Sequence, residues 1–173
     1  MLNLSTPHEY RPVINSRRSE IFAWILAIIL VITSILYISE SSIERILTLV
    51  FTGFFVISAI LITFGNWVDR STSLTLNENG IEYNNGLRHV IISWMSIREV
   101  RIYSSRIGNK VVVYSAEEFF SFQTLGEFVM SGKIRDRVGF EQGEMILETI
   151  LYQSELSDSM KHQADGFYYY LRE

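Results

Sequence analysis

The sequence has 173 residues, no cysteine and a formal net charge of −4 at pH 7. Without cysteine the chain can form no disulfide framework, thiolate nucleophile or cysteine-bound zinc site. The acidic balance argues against a general nucleic-acid-binding protein, which needs an excess of basic side chains. Once two long apolar segments are set aside, about 105 residues remain, which is enough for one modest domain.

Residues 1–20 form a polar lead-in that contains both prolines and is expected to be irregular. The basic pair Arg17-Arg18 lies near its end. A twin-arginine export signal has such a pair, but here Glu20 interrupts the apolar continuation and no small-x-small cleavage site follows. The pair therefore favours a positive flank that keeps the N-terminus in the cytoplasm.

Two apolar segments, residues 21–39 and 46–68, are predicted to be membrane-spanning helices that form a hairpin. Neither contains Asp, Glu, Lys, Arg or His, and the shorter one reaches about 28 Å as a helix, which just crosses a bilayer core. Two buried core helices are the alternative, but a small core rarely needs helices that are apolar on every side. Since intramembrane charges mark transport pathways, their absence predicts an anchor.

The loop between the spans, residues 40–45, carries Glu40 and Glu44 against Arg45, so it is the less basic flank. Because basic flanks stay in the cytoplasm, we predict an integral membrane protein with two spans and both termini cytoplasmic. The host membrane would be a bacterial inner membrane, or a thylakoid membrane in a photosynthetic organism.

After the second span, the pattern changes to short β-prone segments separated by turn residues. We predict six strands, at residues 73–76, 81–84, 87–93, 97–104, 111–114 and 119–123. Asn79-Gly80 and Asn85-Gly86 supply residues that tolerate positive φ in hairpin turns. Short turns require antiparallel neighbours, so the pattern predicts an antiparallel β-meander.

A bend is predicted within this meander, where Ser93 and Ser96 flank a large aromatic residue. Such a bend suits a chain that crosses from one sheet to another, and Trp94, Ile97 and Val100 are predicted to fill the corner. Further on, residues 140–156 predict an amphipathic helix that begins with acidic residues. Residues 125–137 leave three alternatives open, namely a short helix, a seventh strand at 127–130, or a loop.

This order of elements resembles the bacterial pleckstrin-homology-like (PH-like) domains, many of which follow a two-helix membrane hairpin. The central pattern that carries the resemblance is Ile92-Ser93-Trp94 followed by Ile97 and Val100. The resemblance implies an α+β fold with a membrane anchor, in which an antiparallel PH-like barrel at residues 71–156 is closed by a C-terminal helix. Residues 157–173 form an extra tail. The plan is also similar to that of thylakoid assembly factors with two membrane helices, and the PH-like family implies a non-catalytic module that binds proteins or lipids.

The residues give no arrangement typical of an enzyme. His8, His89 and His162 lie far apart in the sequence, without the spacing of metal ligands. Glu117 and Glu118 are adjacent, so in a strand their carboxylates would point to opposite faces. The glycines show no phosphate-binding or dinucleotide-binding spacing. We therefore expect no catalysis, no metal and no cofactor.

Basic residues are concentrated between residues 83 and 116, against the single acid Glu99. The candidate lipid- or partner-binding residues in this region are Arg88, Arg101, Arg106 and Lys110. Arg106 and Lys110 bracket a turn, where each would contribute up to ~1 kcal/mol on contact with a lipid phosphate. The alternative is ordinary edge charge that keeps strands from aggregating.

The tail carries a second candidate cluster, which consists of Phe167, Tyr168, Tyr169 and Tyr170. Aromatic clusters are rarely left in water, so the tail is expected either to add a strand to its own sheet or to dock on a partner. The leading functional hypothesis is a membrane-anchored scaffold or assembly protein that holds a PH-like module against the cytoplasmic face to bind a membrane protein complex. The alternatives are an anionic-lipid-binding module and a small accessory subunit of a transporter or oligomeric channel. Self-association is left open.

Overall fold

The computed structural model describes residues 6–13, 17–36, 42–156, 162–164 and 166–172. The chain divides into two compact units, one formed by Ser16–Val68 and the other by Met1–Asn15 together with Asp69–Glu173. Parts of four predicted segments lie outside the described residues: residues 1–5 and 14–16 of the lead-in, the end of the first span and the start of the following turn at 37–41, and residues 157–161, 165 and 173 of the tail.

The first unit contains two helices, α1 at Arg17–Leu36 and α2 at Ser42–Ser71, whose last three residues belong to the second unit. Both are long and apolar enough to cross a membrane. Side-chain hydrogen bonds join them, from Trp24 Nε1 to Thr63 Oγ1 at 2.8 Å and between the hydroxyls of Ser34 and Thr52 at 2.6 Å. Because Ala27 is buried between its neighbours, the helices pack closely through a small residue, as helices in lipid do.

The second unit is built from eleven described strands and one further helix, α3 at Gly143–Gln153. The strands are β1 His8–Tyr10, β2 Ser73–Asn77, β3 Gly80–Asn84, β4 His89–Ser93, β5 Ile97–Tyr103, β6 Lys110–Ser115, β7 Phe119–Gln123, β8 Gly126–Met130, β9 Lys133–Val138, β10 His162–Ala164 and β11 Phe167–Leu171. They form a four-stranded sheet in the order β1-β2-β3-β4, a five-stranded sheet in the order β10-β11-β5-β6-β7, and the separate pair β8-β9. Neighbouring strands are antiparallel throughout.

The fold is therefore α+β with antiparallel sheets, but the described residues form no closed barrel. Helix α3 has Ile146, Leu147 and Ile150 buried in the same core cluster as residues of the two larger sheets. It is not the last element, since β10 and β11 follow it, so the C-terminal closing helix of the sequence prediction is not evident.

The lead-in was expected to be irregular, yet it contains strand β1. His8, Glu9 and Tyr10 pair with Leu76, Thr75 and Leu74 of β2. Tyr10 packs against the core, and its partial burial raises the pKa of the phenol. A three-residue strand is too short to show an alternation of apolar and polar residues, so the sequence pattern does not reveal it. The strand is held by pairing with the edge of β2 and by the apolar contact of the Tyr10 ring.

The chain crosses from the four-stranded to the five-stranded sheet through a short 3₁₀ turn, Trp94–Ser96. Trp94 is buried there, and its Nε1 donates a hydrogen bond to the Asn77 carbonyl at 3.0 Å. Ile97 and Val100 are completely buried in the core that follows. The crossing thus lies at the bend where the sequence analysis placed it.

Of the three alternatives for residues 125–137, the structure shows a strand, β8. This strand does not extend the meander. It pairs only with β9, which the sequence analysis did not predict, and the two form a separate ribbon.

The tail lies within the five-stranded sheet. Strand β11 pairs with β5 in the register Tyr169↔Arg101, and β10 forms the outer edge. Tyr168 and Tyr170 pack against the core. Phe167 and Tyr169 contact each other, with ring centroids 5.9 Å apart, on the opposite face.

The backbone of several glycines packs closely against Thr124, which is buried at the junction of β7, the β8-β9 ribbon and α3. A Cβ on Gly143 would lie 2.5 Å from Thr124 Cα, and one on Gly139 would lie 2.4 Å from its carbonyl oxygen. The hydroxyl of Thr124 accepts a hydrogen bond from the Asn109 amide at 2.9 Å. The glycines therefore permit an approach that any side chain would prevent.

Candidate functional site: the outer face of the five-stranded sheet

The five-stranded sheet has one buried face and one outer face, because successive side chains of a strand point to opposite sides. Val100 and Ile102 of β5 are buried in the core, so Arg101 and Tyr103 lie on the other face. The register then determines which residues of neighbouring strands are adjacent there.

Three rows of residues cross this outer face. The first is Phe167, Tyr103, Lys110 and Gln123; the second is Tyr169, Arg101, Val112 and Ser121; the third is Leu171, Glu99, Tyr114 and Phe119. Aromatic rings dominate the outer rows, whereas the middle row carries the small side chains of Val112 and Ser121.

Arg101 lies at the centre of the face and links its rings. Its guanidinium carbon is 4.7 Å from the centroid of Tyr114 and 5.5 Å from that of Phe167. It also donates two hydrogen bonds to Glu99, at 2.7 and 3.0 Å. The bonds to Glu99 raise the pKa of Arg101 above its ordinary value. Because its charge is matched by Glu99, Arg101 acts here as a fixed, planar element between two rings.

A cleft of about 360 Å³ opens beside Arg101. Its lining residues are Tyr103, Lys110, Val112, Tyr114, Phe119 and Ser121. Tyr103 and Lys110 come from the first row and Tyr114 and Phe119 from the third, so the small middle row forms the floor. The cleft is open, and the Phe119 side chain is 48% exposed at its rim.

Arg88 joins the same face from the loop before β4. Its guanidinium carbon is 4.7 Å from the centre of the Phe119 ring. Cation–π contacts of this kind contribute about 0.5–1 kcal/mol at exposed sites. Lys110 brings a further positive charge to the cleft, and no carboxylate of the described residues forms a salt bridge with it.

The structure divides the residues that the sequence analysis selected. Arg88, Arg101, Lys110, Phe167 and Tyr169 come together on or beside the outer face. Tyr168 and Tyr170 pack on the opposite, core side, together with the corner residues Trp94, Ile97 and Val100. Arg106 is exposed in the turn before β6 and does not line the cleft.

Three aromatic residues of the site, Tyr103, Tyr114 and Phe119, were not selected from the sequence. The alternation of side chains along each strand could have identified them, because each of the three residues is next to a buried residue and so lies on the outer face. The pairing of β11 with β5 could not be predicted from the sequence, and this pairing brings the ring of Phe167 against that of Tyr103. Tyr103 and Phe167 lie 5.0 Å apart between centroids as a result.

The cleft offers three aromatic rings, the ammonium group of Lys110 and three hydroxyl groups, which suit the binding of an apolar or anionic group. Among the described residues, no three His, Asp or Glu side chains lie close enough to hold a metal ion. No known protein family, curated protein or solved structure matches the chain.

Proposed function

We propose that this chain is a non-catalytic, membrane-anchored scaffold or assembly protein. Its two apolar helices hold the domain at a membrane, and the outer face of the five-stranded sheet docks on a membrane-protein complex. The observation that carries the proposal is the open cleft lined by Tyr103, Tyr114 and Phe119, with Arg101 against the Tyr114 ring. Tyr, Phe and Arg are the residue types that dominate the centres of protein interfaces.

The cleft fits a protein partner for a geometric reason. Its two walls are fixed rings, and its floor is nearly inaccessible Val112. A concave site with rigid walls can take one protruding side chain, and Lys110 at its edge favours an acidic neighbour of that side chain. The partner is thus a membrane protein with an apolar residue beside an acidic one on its exposed surface.

The connectivity of the second unit supports the proposed topology. Strand β1 precedes the helical hairpin and β2 follows it, yet the two are paired in one sheet. If both helices span, the chain leaves and re-enters the domain on one side of the membrane. Arg17 and Arg18 flank that side, so the proposed location of the domain and both termini is the cytoplasm.

Within this proposal the domain belongs to the PH-like class. The order of the meander, the sheet crossing at Trp94 and the burial of α3 support it. The separate β8-β9 ribbon and the two tail strands are additions to that plan.

Affinity purification in mild detergent with mass spectrometry tests the docking role. Phe119→Ser removes a ring from the rim of the cleft, and Ile91→Ser is the matched control, because Ile91 is 67% exposed on the four-stranded sheet. We expect the same membrane-protein subunits, in stoichiometric amounts, with the parent chain and Ile91→Ser, and their loss with Phe119→Ser. Identical partners for all three chains, or stable self-oligomers alone, would overturn the proposal.

A further inference from the structure

The β8-β9 ribbon carries apolar side chains that are exposed. Phe128, Val129 and Ile134 are 47, 56 and 49% exposed. No other strand among the described residues pairs with the ribbon. A two-stranded ribbon is only marginally stable in water by itself. Contiguous exposed apolar side chains on such a ribbon indicate a surface that contacts a partner or a membrane.

The root of the ribbon is well fixed. Arg137 and Glu127 form a salt bridge of 3.0 Å across the two strands. Gly126 and Gly139 pack backbone to backbone against residues 107 and 123–124, where a Cβ would come within 2.2 and 2.4 Å of other atoms. The domain therefore holds the ribbon in a defined place while leaving its apolar side chains uncovered.

These apolar side chains lie on both faces of the ribbon. Val129 is paired with Ile134, so these two share a face. Phe128 precedes Val129 on β8, so it lies on the other face. It is paired with Asp136, and the register shift between the two pairs accommodates an extra residue on β9. A groove of a folded protein covers one face of such a ribbon, whereas a fluid lipid interface surrounds both.

The distal part of the ribbon is basic in a chain that is acidic as a whole. Between Val129 and Arg135 it carries Lys133 and Arg135 and no acidic residue, although the chain has a net charge of −4. Asp136, the nearest acid, accepts a hydrogen bond from the Arg137 amide at 2.9 Å. The charge of the tip therefore complements anionic headgroups.

We propose that the tip of the β8-β9 ribbon inserts into the headgroup region of an anionic bilayer. This proposal rests on the proposed function, because the anchoring helices keep the domain beside the membrane. The insertion is shallow: no described strand pairs with the outer edges of β8 and β9, and the amide groups of these edges need the water of the headgroup region.

The test uses the full chain in lipid nanodiscs. Since the chain has no cysteine, a single cysteine introduced as Ser131→Cys carries an environment-sensitive fluorophore at the exposed tip. Leu87→Cys labels an exposed bend elsewhere in the domain, and Ile28→Cys labels the exposed surface of α1. Nanodiscs of phosphatidylcholine alone are compared with an equal mixture of phosphatidylcholine and phosphatidylglycerol, each with nitroxide-bearing lipids as quenchers.

We expect quenching at position 131 in the anionic nanodiscs, weaker quenching in phosphatidylcholine, and none at position 87. Lys133→Gln with Arg135→Gln should lower the partition of the tip into the interface about 25-fold, because each basic residue near an anionic surface contributes about fivefold. The charge-conserving pair Lys133→Arg with Arg135→Lys should retain the quenching.

The outcomes separate this inference from the proposed anchor. If the label at position 28 is quenched and the label at 131 is not, the ribbon stays in water and the inference is wrong, whereas the anchor stands. If position 28 is not quenched either, the anchor itself fails. If position 131 is protected in native membranes but exposed in anionic nanodiscs, a protein covers the ribbon, and the lipid proposal is overturned.

Discussion

Tyr169 of β11 lies directly opposite Arg101 of β5, so the tail of the chain joins the strand at the centre of the candidate site. The next residue, Tyr170, lies on the core side. We expect Tyr170→Ser to destabilise the domain by about 2 kcal/mol, since it removes a ring from the core. Tyr169→Ser is the matched control and should cost less than about 1 kcal/mol. Thermal unfolding in detergent, followed by β-sheet circular dichroism, measures both; equal losses would contradict the assignment of faces.

Trp94 ties the sheet crossing to the end of β2 through its bond to the Asn77 carbonyl. Trp94→Phe keeps a ring but removes the donor, so the carbonyl loses its indole partner. The expected cost is about 1–3 kcal/mol in the free energy of unfolding. The neighbouring Met95 is exposed, and Met95→Ala should change stability by less than about 0.5 kcal/mol. Denaturant unfolding compares the two, and a neutral Trp94→Phe would show that the bond is not required.

Because glycine backbone packs closely against Thr124, we expect one added methyl group there to lower the stability of the domain. Gly143→Ala would place Cβ 2.5 Å from Thr124 Cα, and the expected overpacking cost is about 1–3 kcal/mol. Gly65→Ala adds the same methyl to a helix position with nothing within 4 Å and should be neutral or slightly stabilising. A melting temperature unchanged by Gly143→Ala would mean that α3 can shift without cost.

The raised pKa of Tyr83 leads us to expect a loss of stability at alkaline pH. Burial raises the pKa of Tyr83, while a hydrogen bond with Asn85 and the charge of Arg88 oppose the rise. The folded state therefore keeps its proton at a pH where the unfolded state has lost it, and stability falls as pH rises above about 10. Tyr83→Phe should reduce that slope. Unfolding curves measured on both sides of this pH test it, and an unchanged slope would assign the loss to other groups.

Local patterns accounted for much of the meander. The predicted strand at residues 119–123 coincides with β7, and residues 73–76 fall within β2, because hairpin turns and alternation are encoded in adjacent residues. Strand β9 was missed because the charges of Lys133, Arg135 and Arg137 hide any apolar period. Its side chains are exposed on both faces, so no alternation is required of them.

The candidate site was predicted only in part, for a related reason. Arg101 and Lys110 were recognisable by charge, and Phe167 by its aromatic neighbours. Their association depends on β11 pairing with β5 across more than sixty intervening residues, and on β6 presenting Tyr114 beside Arg101. Register of this kind is set by the whole core, not by a local motif.

The pairing of β1 with β2 also determines when, during synthesis of the chain, the four-stranded sheet can be completed. Strand β1 leaves the ribosome early, but its partner follows only after both α1 and α2 have been made. The edge of the four-stranded sheet therefore cannot close until the hairpin has been synthesised, and this long-range contact slows completion of the domain. Until then, residues 8–10 are an unpaired segment whose Tyr10 has no core to pack against. Pairing of β1 with β2 can therefore occur only after both apolar helices have been synthesised.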